Sequence, residues 1–93
     1  MKDFEIVYEL SWKALKEALA TQGLEAFAPK DAFSKAFQAK IIRNEDAWLQ
    51  MLEDRNRTVH VYDEKFAREM CQRISEKYLP EFQKLDEYLR ALI

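Results

Sequence analysis

The sequence predicts an all-α fold, an up-and-down antiparallel helical bundle resembling a four-helix bundle, and three observations carry that prediction. Glycine occurs once and proline twice in 93 residues, against a background rich in Ala, Leu, Glu, Lys, Gln, Arg and Met, which lose little on entering a helix. Apolar residues recur at helical spacing along nearly the whole chain. The breaks between these stretches are short, which favours antiparallel neighbours. Ninety-three residues suit one domain, 1–93, and a hydrophobic content of 48% supplies a packed core without any signature of disorder.

The first helix is expected from Asp3, a fitting N-cap, to Gly23, a fitting left-handed stop. At about 100° per residue, Phe4, Tyr8, Trp12, Leu15 and Leu19 cover one broad side with Val7, Ala14 and Ala18, and Ile6 and Leu10 widen it. Glu5, Glu9, Lys13 and Lys16 keep a narrow polar strip, on which Glu9 and Lys13 are spaced for an i,i+4 pair. A helix this apolar needs cover on more than one side, from its own chain or from a partner.

Leu24 to Ala28 forms a connector, and Pro29 suits the first turn of a second helix carrying Ala32, Phe33, Ala36, Phe37 and Ile41 inward. Asn44 can cap a third, in which Trp48, Met51, Leu52, Arg55 and Val59 share a face, so that an arginine falls on the core stripe. The β-branched Thr58, Val59 and Val61 weaken the helix, and Asp63 can start another, which places a corner at about residues 58–63. The fourth stripe runs through Phe66, Met70, Ile74, Tyr78, Phe82, Leu85, Leu89 and Leu92. Pro80 interrupts it, removing one backbone hydrogen bond and crowding the carbonyl of Glu76, so a kink or division is expected there.

Composition excludes several classes of function. A net charge of −2 gives no global field for a polyanion, so any nucleic-acid contact must be local. The lone Cys71 has no disulfide partner and is expected as a small buried hydrophobe, in keeping with a cytoplasmic location. The N-terminus lacks the basic and apolar regions of a signal peptide, and no uncharged run approaches the roughly 20 residues of a membrane span. With one histidine and no second cysteine, neither a metal site nor a cofactor is expected. Trp12 and Trp48 have the faces to stack a nucleobase, although aromatics at this spacing are expected in the core. Lys30, Lys35, Lys40 and Arg43 read as solvated charge. Arg57 is open between a phosphate contact and solvent.

The chemically pointed segment is Arg55-Asn56-Arg57-Thr58-Val59-His60-Val61-Tyr62. In a helix Asn56 and His60 are i,i+4 neighbours, Arg55 is long enough to reach the same point, and Tyr62 follows just beyond the corner. A guanidinium grips phosphate oxygens in pairs, and imidazole moves protons near neutral pH. Together they suffice to cleave RNA without a metal: the 2′-hydroxyl attacks, His60 transfers the proton and Arg55 stabilises charge gathering at phosphorus. Against this, a lone histidine at a helix terminus is often a cap or a surface residue, and Arg55 and His60 could simply tie helices together.

The run from Phe4 through Lys16, then Trp48-Leu49-Gln50-Met51-Leu52-Glu53-Asp54-Arg55-Asn56-Arg57-Thr58, then His60-Val61-Tyr62, closely resembles the nucleotidyltransferase substrate-binding protein family of the HEPN superfamily, over most of the chain. The resemblance implies a homodimeric helical bundle encoded beside a minimal nucleotidyltransferase. It implies one of two functions: a metal-independent endoribonuclease toxin that the transferase neutralises, or a non-catalytic subunit that binds substrate for the transferase. In the first, Arg55 and His60 would be catalytic, Asn56 the polar residue after the arginine, RNA the substrate, and Tyr62 the adenylylation site. The resemblance further implies a helix ahead of Phe4, where only three residues stand, so the open side of the first helix is expected to be buried by dimerisation or helix exchange.

Overall fold

The computed structural model describes residues 2–60 and 63–92, all of whose regular structure is helical. Helix α1 spans Lys2–Thr21, α2 Pro29–Gln38, α3 Glu45–Arg57 and α4 Glu64–Arg73; a π-helical turn, Ile74–Tyr78, joins α4 to α5, Leu79–Ala91. Helix α1 packs against α2 and α5, α2 against α3, and α3 against the π turn. The result is an all-helical bundle whose fourth member is the divided α4–α5 helix.

Local chemistry sets the boundaries. Asn44 caps α3 by accepting from the Ala47 N–H at 3.1 Å, and Asp63 caps α4 by accepting from the Phe66 N–H at 2.7 Å. Asp3, expected as a cap, instead sits inside the first turn of α1, where its charge still favours the positive end of the helix dipole. Helix α1 closes on Gly23 at φ 78°, with the Leu24 N–H on the Leu19 carbonyl (2.9 Å) and the Gly23 N–H on that of Ala20 (3.0 Å), a Schellman pair. Helix α2 ends in the same way, but with Lys40 at φ 63°. A side chain in this conformation costs about 1–2 kcal/mol. Lys40→Gly should therefore stabilise the fold by about 1 kcal/mol, read as a shift in the urea midpoint with an unchanged slope.

The division expected at Pro80 takes the form of the π turn. Having no N–H, Pro80 cannot complete the α-helical ladder, and the Leu79 N–H reaches back five residues to the Ile74 carbonyl. The wider turn also serves packing. Phe66, Met70, Ile74, Tyr78 and Phe82 recur every four residues, a spacing that drifts around a regular helix at 3.6 residues per turn. Inserting one π turn offsets that drift, so Phe66, Met70, Tyr78 and Leu85 are all buried.

An aromatic spine fills the core. Phe4 stacks on Tyr78 at 5.7 Å between centroids, Tyr8 meets Phe33 edge-on at 6.1 Å, and Trp48 lies between Phe33 (5.2 Å) and Phe82 (5.7 Å). Trp48 is thus core. Cys71 is not: it is exposed, one residue (about 100°) round from the buried Met70.

Helix α1 has two different sides. Glu5, Glu9 and Trp12 lie together facing α3. Val7, Leu10 and Ala14 lie on the opposite side, in an open apolar groove against Leu79, Phe82 and Leu89 of α5, and Leu10 is 64% exposed. The wide apolar surface read from the sequence is therefore only partly covered by this chain. No described helix is long and apolar enough to cross a membrane.

Candidate functional site

The corner where α3 ends holds Arg55 to His60 of the chemically pointed segment, and two carboxylates one turn apart on α1 contact it. Glu5 accepts from the Thr58 hydroxyl at 3.0 Å, and that hydroxyl also lies 2.6 Å from the Arg55 carbonyl. Glu9 pairs with the Arg55 guanidinium at 3.8 Å and accepts from the Trp12 indole N–H at 3.0 Å. Glu9 thus turns towards α3, away from the Lys13 partner that spacing alone offered. Arg57 lies over the Phe66 ring, 4.6 Å from its centroid, and joins the end of α3 to the start of α4.

Arg55 is half-buried, with 39% of its side chain exposed, and with Asn56 it lines a groove of ≈ 280 Å³ between α1 and α3. Tyr8, Glu9, Trp12, Pro29 and Leu52 complete the walls. His60 is exposed on the turn just past the helix, with its N–H on the Arg57 carbonyl at 3.0 Å. Asn56 and His60 therefore do not share a regular helical face, because α3 stops at Arg57 once β-branched residues begin. Tyr62, expected as the modified residue, lies outside the described residues, as does Val61. Among the described residues no group of three or more His, Cys, Asp or Glu gathers at metal-ligand spacing.

The face of α3 is turned about one residue from the sequence reading. Asp54, and not Arg55, enters the core, and Val59 is exposed. Asp54 receives a bidentate hydrogen bond from Arg73, Nε at 2.7 Å and Nη2 at 2.9 Å, and a further one from the Tyr78 hydroxyl. Desolvation and this hydrogen bond to Asp54 raise the Tyr78 pKa, and the same carboxylate raises that of Arg73. This triad is the buried polar tie between α3 and the divided helix, beside an exposed hydrogen bond from Lys77 to Gln50 at 3.2 Å. Arg55 has no such duty; among the described residues its one ion pair is two-fifths exposed, a class worth about 0–1 kcal/mol.

A family model described as nucleotidyltransferase substrate binding protein like matches residues 1–91. The chain belongs to this family. A Haemophilus influenzae relative named probable ribonuclease HepT is 33% identical over 95 residues, an alignment covering 97% of this chain. This chain spans 64% of that relative's length. The crystal structure of a protein from Thermus thermophilus matches the fold with a TM-score of 0.82 at 31% identity, over 98% of this chain and 76% of that one.

Two features of this family member escaped sequence reasoning. One is the Asp54 triad, whose signal was present: Asp54 follows Met51 by three residues and precedes Thr58 by four, the spacing of an inward position, where a carboxylate requires a partner. The other is the Tyr8 hydroxyl, buried beside the groove without a hydrogen-bond partner among the described residues. Burial first, then the Glu9 charge, push its pKa up to about 12, with Arg55 opposing. The pH dependence follows. Burial disfavours the ionised phenol in the folded state, so no penalty arises below the unfolded value of about 10, and stability is lost as pH rises from there towards about 12. Tyr8→Phe removes an orphaned donor and should raise stability at pH 7 by about 1 kcal/mol. In urea titrations at pH 11 the advantage should widen.

Proposed function

We propose that this family member is a HEPN-type toxin subunit: a metal-independent endoribonuclease that works as a homodimer in the cytoplasm and is neutralised by a minimal nucleotidyltransferase. The observation that carries the reading is the partly exposed Arg55 lining a groove with Asn56, with the exposed His60, which does not itself line that groove, five residues after Arg55 on the turn that ends α3. The relative named as a probable ribonuclease supports the reaction class.

In this reading Arg55 binds the scissile phosphate and Asn56 helps to orient it. His60 takes the proton from the substrate 2′-hydroxyl as O2′ attacks phosphorus. The P–O5′ bond breaks, O5′ is protonated by the partner subunit's His60, and the products are a 2′,3′-cyclic phosphate and a 5′-hydroxyl. Arg55 stabilises the negative charge that grows on the phosphoryl oxygens. Adenylylation of Tyr62, two residues past His60, would bring phosphate and bulk to this corner and block it. The dimer would join the α3 corners, on the side of α1 away from the apolar groove with α5, and so would not supply the cover expected for the open side of α1.

The family description favours a second reading, in which Arg55 and Asn56 hold a nucleotide for the transferase without cleaving RNA. Incubation of the purified protein with RNA in excess chelator separates the two. Cleavage by wild type that disappears in His60→Ala, with helical circular dichroism and sedimentation unchanged, supports the toxin. Inert wild type that binds a nucleotide supports the binding subunit.

A further inference from the structure

We propose that the groove between α1 and α3 is a nucleobase subsite for single-stranded RNA, in which a base stacks on the Trp12 indole while its neighbouring phosphate pairs with Arg55. The choice of RNA as ligand rests on the function proposed above, and the test below separates the two.

The two tryptophans have different surroundings. Trp48 is sealed in the aromatic spine, whereas Trp12 is partly exposed and lines the groove together with Arg55 and Asn56. An aromatic face beside a guanidinium is the pairing that single-stranded nucleic acids use, stacking for the base and charge for the backbone. The Asn56 amide both donates and accepts, as the edge of a base requires.

These groups are held in advance of any ligand. The Trp12 N–H is bound to Glu9 at 3.0 Å and Glu9 to Arg55 at 3.8 Å, so ring and guanidinium are oriented through one shared carboxylate. Restricting both before binding lowers the ordering that binding would otherwise require. Tyr8 forms part of the wall of the same groove, with its hydroxyl sealed beneath the surface. The volume, ≈ 280 Å³, falls just below the roughly 300 Å³ at which pockets for drug-sized ligands begin. That is room for one base with its phosphate outside.

The test uses the full chain and an eight-nucleotide 2′-O-methyl RNA, which offers no free 2′-hydroxyl and is not cut. With Trp48 sealed, saturable quenching of tryptophan fluorescence on titration reports on Trp12. In fluorescence anisotropy with a labelled oligonucleotide, Trp12→Leu should bind roughly 10-fold to 100-fold more weakly, and Trp12→Phe within a few-fold of wild type. Unchanged affinity in a folded Trp12→Leu overturns the subsite. Equal losses in Trp12→Phe and Trp12→Leu also overturn it, because the indole N–H and not the stack would then be responsible. If Trp12→Leu does not fold, absence of quenching in wild type overturns it alone. Quenching and binding by a wild type that cuts no RNA leave the subsite standing and remove the nuclease. Cleavage by a wild type whose fluorescence the oligonucleotide leaves unchanged does the reverse.

Discussion

Asp54→Ala is expected to lower the free energy of unfolding by about 3–5 kcal/mol, the range for removing one partner of a buried ion pair. The carboxylate side chain is only 4% exposed and Arg73 19%, so the guanidinium left behind regains little water and keeps only its longer 3.9 Å pair with Glu69. The Tyr78 hydroxyl loses its acceptor at the same time. For a domain of this size the total stability is on the order of 5–14 kcal/mol, and each kcal/mol shifts Tm by about 4–8 °C. A fall in Tm of about 12 °C or more in thermal denaturation is therefore the expected result. Arg73→Lys keeps the charge but loses the fork, and should cost less. The loss should appear in RNA cleavage only as far as the protein unfolds, since no member of the triad lines the groove.

His60→Ala and Arg55→Ala should do the opposite, removing cleavage while sparing the fold. Loss of a positioned proton-transfer group typically lowers rate by about 10²–10⁴-fold, and loss of a charge-stabilising donor by a similar factor. Among the described residues Arg55 pairs with Glu9 alone, a side chain that is 38% exposed, so its removal should change stability by no more than about 1 kcal/mol. Single-turnover cleavage in chelator, set beside urea denaturation of the same preparations, checks both halves. Arg55→Lys should retain part of the rate, because a point charge replaces the bidentate grip. If Arg55→Ala were as destabilising as Asp54→Ala, Arg55 would be a helix tie and its catalytic assignment would be lost.

The helices and their limits were legible because short-range chemistry sets them. Asn44, Asp63, Gly23 and Pro29 each act within one turn of their own position, and each stands where the sequence placed it. Rotation of a helix about its axis was less legible. On α3 the apolar residues alone leave room for either Asp54 or Arg55 to face inward, and the decision is made by Arg73 and Tyr78, 19 and 24 residues further along the chain. Helix α1 shows the same limit. Its carboxylates look like a solvent strip until α3 arrives to use Glu5 through Thr58 and Glu9 through Arg55. Cys71 was misplaced for a related reason, since the buried stripe of α4 is set by Phe66 and Met70 and passes one residue beside it. The candidate site was legible as a set of residue types in order; the groove that adds Tyr8, Trp12 and Leu52 to Arg55 is a product of packing between distant segments.

In the proposed reaction Arg55 and His60 direct the 2′-hydroxyl of RNA onto its own phosphate. The most direct measurement is the chemistry of the ends left by purified, transferase-free protein in excess chelator, read by mass spectrometry of the fragments. Wild type should leave 2′,3′-cyclic phosphates and 5′-hydroxyls, and His60→Ala should leave neither. Ends bearing a 5′-phosphate and a 3′-hydroxyl, or intact RNA after prolonged incubation, would contradict it.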